Sequence, residues 1–182
     1  HAHIRNAAAT GIELGPLQTH LETALGAPLS QIAQDRPVLI TDEGLCGPHP
    51  GQFAEHTGVL PALDAALDAL AALLPQGRTV FHIVTRDHAR WVRSLYNQAV
   101  KQTRYTGSLE DFTATLPPGF DITAHIRNLC SAHSDKDIRI HPMEGSNLFP
   151  GQQILLDCGL PAGTLATLAI PERENPSWSH PM

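Results

Sequence analysis

Apolar positions recur along this chain in two periods, and the switching between them marks out alternating strands and helices. The clearest helical pattern runs from Val59 to Leu74: Leu60, Leu63, Leu67, Leu70 and Leu74 fall three or four residues apart, with Asp64 and Asp68 on the far side. Pro75-Gln-Gly77 ends it. Residues 79 to 85, Thr-Val-Phe-His-Ile-Val-Thr, then form a β-branched apolar run that predicts a buried strand ending on Arg86. A helix follows over His88 to Gln102, with Val92, Leu95, Tyr96 and Ala99 as its core stripe. Ser108 to Phe112 reads as a short helical turn, and Pro117-Pro-Gly119 as a break. Asp121 then caps a helix whose apolar positions are Ile122, Ile126, Leu129 and Cys130. Asp137 to His141 alternates like a strand, and Gly151 to Cys158 gives one more short helix, closed by Gly159.

Earlier in the chain the signals are shorter. Pro16 to Leu25 predicts a helix with Leu17, Leu21, Ala24 and Leu25 on one face, closed by Gly26, and Leu29 to Gln34 a second. Arg36 to Thr41 is a compact apolar strand that runs into Asp42-Glu43-Gly44. Cys46 to Gly51 is too rich in proline and glycine to be anything but a loop, and Pro171 to Met182 reads as an extended polar tail. This order predicts one α/β domain over residues 1–182, with a mainly parallel sheet. Ligands in such folds gather at the carboxyl ends of strands, which sets Asp42, Glu43 and Arg86 on one edge.

Composition narrows the function classes. At 182 residues, 42% of them hydrophobic, the chain can bury one real core. It has no run of about 18 apolar residues that could span a membrane, and a cytoplasmic location is expected. The net charge of -6 argues against a sequence-independent nucleic-acid binder, while leaving room for a local basic site. Cys46, Cys130 and Cys158 are distant and odd in number, which speaks for a reducing compartment over a disulfide framework. No histidine falls in an HExxH spacing and no CxxC occurs, so no metal is assigned.

The candidate chemistry lies at Arg86 and Ser94. Ser94 sits about 200° around the helical wheel from Val92, at about 100° per residue, and shares its face with Arg90, Asn97, Gln98 and Lys101. A guanidinium at the end of a parallel strand, with a hydroxyl about two turns into the next helix, makes an anion grip. The plainer account is an edge arginine pairing with Asp87 and a serine on a solvated helix face. Asp42 and Glu43, at the end of the earlier strand, are the first carboxylates where chemistry could sit, with His49 and His56 in the loop that follows. Cys46, without a histidine at any diagnostic spacing, reads as a small packed thiol and not as a nucleophile.

The strand ending on Arg86, Ser94 eight residues later, and then Tyr96-Asn-Gln98 resemble the 3'-phosphate-binding element of sulfotransferases. The similarity to bacterial sulfotransferase-like proteins extends to Val38–Glu43, Ser94–Lys101, Ser108–Phe112 and Ile138–Glu144, with the short helix and Gly159-Leu160 that follow. This resemblance implies a three-layer, P-loop NTPase-like fold and 3'-phosphoadenosine 5'-phosphosulfate (PAPS) as cofactor. It implies that Arg86 and Ser94 bind the 3'-phosphate, and that Glu43 deprotonates the hydroxyl of a carbohydrate or other small acceptor. The family's Pro-Lys-Ser-Gly-Thr-Thr loop does not occur here: Gly11 and Gly15 have no lysine or Ser/Thr pair beside them. The first strand and loop are therefore expected upstream of His1; the alternative is a non-catalytic binding or interaction protein that retains the fold.

Overall fold

A computed structural model of the chain describes residues 19, 21–25, 37–41, 46, 59–74, 79–144 and 150–168. Among these, the elements run α1 (Leu63–Leu73), β1 (Val80–Thr85), α2 (His88–Thr103), α3 (Leu109–Thr115), α4 (Ile122–Ala132), β2 (Asp137–Pro142), α5 (Pro150–Asp157) and α6 (Ala162–Leu165). Residues 21–25 are also helical, within the span expected for the first helix. β1 and β2 pair in parallel, from Val80 opposite Asp137 to Thr85 opposite Pro142. Parallel neighbours need a long crossover, and α2, α3 and α4 supply it.

Local chemistry sets the helix starts. Asp87 caps α2 by accepting the Arg90 N–H at 3.1 Å. Ser108 and Asp111 form a reciprocal capping box that extends the expected turn into the helix α3. Asp121 caps α4, accepting the N–H groups of Thr123 at 2.8 Å and Ala124 at 3.2 Å. At the other end of α2, Arg104 takes up a left-handed backbone, with φ of 55°.

The main core lies between α1, the sheet and the crossover helices. Leu63 and Leu67 of α1, Ile83 of β1, Trp91 and Leu95 of α2, Phe112 of α3 and Ile122, Ile126 and Leu129 of α4 pack into one cluster. Burying each such side chain contributes about 1.5–3 kcal/mol. Phe81 and Ile138 face this cluster from the sheet, which by strand alternation puts His82, Arg139 and His141 on the opposite face. Aromatic geometry fixes the crossover further: Trp91 and Phe120 stack 5.1 Å apart, and Tyr96, Tyr105 and Phe112 meet edge to face. On its other side α1 packs Ala62, Ala65, Ala69 and Leu70 against Leu21, so this alanine-rich helix is buried from two directions.

One predicted element does not form. Residues 37–41, expected as a strand, carry no regular structure, and Val38, Leu39 and Ile40 are 43, 44 and 40% exposed. An apolar run becomes a strand only when a neighbour takes up its N–H and C=O groups, and no described residue does so here. The sheet of the described residues is thus a parallel pair, coarser than the larger sheet expected. The helix expected over Leu29–Gln34, the loop after Cys46 and the tail Pro171–Met182 lie outside the described residues. No described helix is long and apolar enough to cross a membrane.

Candidate functional site

The carboxyl ends of the paired strands hold the first candidate site. Met143 N–H donates to the Thr85 carbonyl at 2.8 Å, carrying the pairing one step past the ladder. This brings Glu144 against the turn between β1 and α2. One of its carboxylate oxygens lies 3.7 Å from Arg86 Nε, and the other accepts the Asp87 N–H at 2.9 Å. Arg86 is therefore placed where the sequence puts it, at the end of a parallel strand just before a helix. Its neighbour is Glu144, whereas the Asp87 carboxylate serves the helix cap. The side chains of Arg86 and Glu144 are 35 and 25% exposed, so the pair is open to solvent and to a ligand.

Ser94 lies on α2, half-buried together with Asn97 and Gln98, while Arg90 and Lys101 on the same face are exposed. No hydrogen bond joins Ser94 to Arg86 among the described residues. Glu43, with Asp42, His49 and His56, lies outside the described residues. Cys46 packs against the main core, and its carbonyl accepts the Ala62 N–H at 3.4 Å, a packed thiol as its sequence context suggests.

The opposite face of the sheet carries a cluster that sequence reasoning missed. His82 of β1 and His141 of β2 meet at 2.8 Å, Nδ1 to Nε2, with stacked rings 5.0 Å apart. In that hydrogen bond one ring donates and the other accepts. Asp157, the last residue of α5, brings Oδ2 to 4.0 Å from His82 Nδ1 and 3.9 Å from His141 Nε2. Gln153, one turn earlier, donates to Asp157 Oδ1 at 2.9 Å. Arg139 approaches Asp157 Oδ2 at 3.7 Å but spends its main contacts on Asp137, at 3.1 and 3.3 Å. The side chains of His82, His141 and Asp157 are 10, 7 and 21% exposed.

Burial, reinforced by His141, lowers the pKa of His82 against the opposing pull of Asp157. The hydrogen bond from Gln153 lowers that of Asp157, with Arg139 adding to it. A neutral His82 imidazole beside an ionised Asp157 carboxylate follows from these two shifts. The two histidines stand 59 residues apart, and no short spacing could have announced them.

Two further polar groupings occur among the described residues. His133, buried at the end of α4, presents Nε2 to Asp64 at 3.1 Å and Nδ1 to Asp68 at 3.4 Å, and Lys136 reaches Asp68 at 3.2 Å. The carboxylates on the far side of α1 thus tie it to α4. On either side of Phe120 lie clefts of 240 and 390 Å³ that share Pro117, Gly119 and Asp121. His125 lines one and His88 the other, each with one buried ring nitrogen lacking a hydrogen-bond partner. Burial lowers the pKa of His125, with Asp64 opposing.

No protein-family model, curated protein or solved structure matches this chain.

Proposed function

We propose that this chain is a sulfotransferase-like protein, moving a sulfuryl group from PAPS to a hydroxyl of a carbohydrate or other small acceptor. The observation that carries this reading is the position of Arg86, at the carboxyl end of a parallel strand and directly before α2. In it, β1 and β2 belong to a three-layer, P-loop NTPase-like sheet. The guanidinium fork of Arg86 pairs with two oxygens of the 3'-phosphate, and Ser94 Oγ–H donates to the same group. Glu144, 3.7 Å from Arg86 Nε, is the anion against which the phosphate competes. Glu43 takes the proton of the acceptor hydroxyl as its oxygen attacks sulfur; the bond from sulfur to the 5'-phosphate oxygen breaks, and 3'-phosphoadenosine 5'-phosphate leaves.

Calorimetric titration with 3'-phosphoadenosine 5'-phosphate tests the site. Binding that weakens at least about 10-fold in Arg86→Ala, and less in Ser94→Ala, is the expected result for a charge-assisted contact. Absence of binding by the unsubstituted protein removes the cofactor assignment, and equal binding by Arg86→Ala removes Arg86 from the site. A second reading, a binding protein on the same fold that performs no transfer, draws support from the Glu144 carboxylate already facing Arg86 at 3.7 Å. Nucleotide binding without consumption of PAPS in the presence of sugar acceptors would select it.

A further inference from the structure

The cluster beneath α5 is under-filled as it stands. Its three groups come from three elements, β1, β2 and α5, and their facing atoms form a triangle with sides of 2.8, 3.9 and 4.0 Å. Only the shortest side is a hydrogen bond. The Asp157 carboxylate stands too far from either ring nitrogen for one, so a carboxylate oxygen faces two largely buried imidazoles without being bonded to them. A cation at the centre would answer all three groups at once.

The geometry is close to what such an ion requires. Zinc held tetrahedrally at about 2.0–2.2 Å from each ligand sets neighbouring ligand atoms about 3.4 Å apart. Opening the histidine pair by about 0.6 Å and drawing the carboxylate in by about as much gives that triangle, an adjustment of side-chain torsions. Two imidazoles and one carboxylate suit zinc and its first-row neighbours, whereas calcium and magnesium seek oxygen ligands alone. The surroundings fit as well. Gln153 fixes Asp157 through Oδ1 and leaves Oδ2 for the centre, the outer contact that orients a ligating carboxylate. Arg139 opposes a second cation here, yet it is anchored on Asp137 and would give up only its 3.7 Å approach to Asp157.

We infer that His82, His141 and Asp157 form a binding site for a zinc-type divalent cation, which ties α5 to the paired strands and leaves a fourth coordination position for water or a further ligand. The site lies on the sheet face opposite the main core and is independent of any nucleotide chemistry at Arg86.

Titration of the metal-free full chain with Zn²⁺, read by calorimetry, and with Co²⁺, read by the visible absorption of tetrahedral cobalt, tests it. One equivalent is expected to bind, with the melting temperature rising in step. Asp157→Asn, which preserves shape, is expected to weaken binding at least about 10-fold, and Gln153→Ala about 10-fold. The chain has 11 histidines, so the variants decide location: affinity unchanged in both Asp157→Asn and His82→Gln places the ion elsewhere and overturns the inference. Failure of the unsubstituted protein to bind either metal at micromolar concentration overturns it too, whatever the variants do.

Discussion

Glu144 faces Arg86 across the ends of two parallel strands, with one carboxylate oxygen 3.7 Å from Nε, while its second oxygen holds the Asp87 N–H at 2.9 Å. One side chain thus sets both the charge and the backbone of the turn that starts α2. Glu144→Gln keeps an acceptor for Asp87 and removes the negative charge. It is expected to leave stability within about 0.5 kcal/mol and to tighten binding of 3'-phosphoadenosine 5'-phosphate several-fold. Glu144→Ala loses the acceptor as well and is expected to cost about 1 kcal/mol after allowance for partial exposure. Weaker nucleotide binding by the glutamine variant, measured calorimetrically, would show that Glu144 does not compete for Arg86.

His133 makes a similar clasp between α1 and α4, with a carboxylate at each ring nitrogen. His133→Ala is expected to destabilise by about 1–3 kcal/mol, since a buried ring and two contacts to charged groups are lost together. A double-mutant cycle with Asp64→Ala should return a coupling of about 0.5 kcal/mol or more in denaturant unfolding. A coupling indistinguishable from zero would mean the contact is incidental.

Acid should loosen two helix starts. Asp121 has its pKa lowered by the backbone N–H groups of Ala124 and then Thr123, and Asp111 by its hydrogen bonds with Ser108. A carboxyl group whose pKa is lower folded than unfolded contributes stability that is fully present above the unfolded value, about 3.9. That stability is lost as pH falls through the lower folded value. Urea midpoints measured from pH 5 down to pH 2 should therefore fall. The fall should be shallower in Asp121→Asn and Asp111→Asn, which have no proton to take up at these caps; slopes equal to that of the unsubstituted protein would contradict the assignment.

Arg104 closes α2 in the left-handed region, where a Cβ atom crowds the following carbonyl oxygen. Arg104→Gly relieves this and is expected to stabilise by about 0.5–1 kcal/mol. A lowered melting temperature would indicate that the arginine side chain contributes more than its backbone costs.

Much of the architecture was legible because local signals decide it. Asp121 announces α4 from its capping position, the β-branched run to Thr85 announces β1, and the spacing of Leu63, Leu67 and Leu70 announces α1. What escaped depends on register and partners. Val38-Leu39-Ile40 has the composition of a strand, but composition cannot supply the neighbour that makes one. Alternation puts His141 on one face of its strand, yet only the parallel register sets it beside His82. Asp64 and Asp68 read only as the far side of α1, because nothing near them in sequence points to His133. Arg86 was found at its strand end, but its companion Glu144 is 57 residues beyond Asp87 and left no local trace.

The parallel pairing of β1 with β2 also orders events in time. The ladder cannot close until the chain through α2, α3 and α4 has brought Asp137 back beside Val80, so the loop-closure entropy is met before any strand contact repays it. Packing within the crossover, such as Phe112 against Tyr96 and Tyr105, should then be formed at the folding barrier, with the ladder added after it. Phe112→Leu is thereby expected to slow refolding, and Ile83→Val chiefly to speed unfolding, in stopped-flow measurements. The reverse pattern would mean that the strands meet first. For this chain the crossover is the part that has to succeed early, and both the Arg86 turn and the His82–His141 pair come into being only once it has.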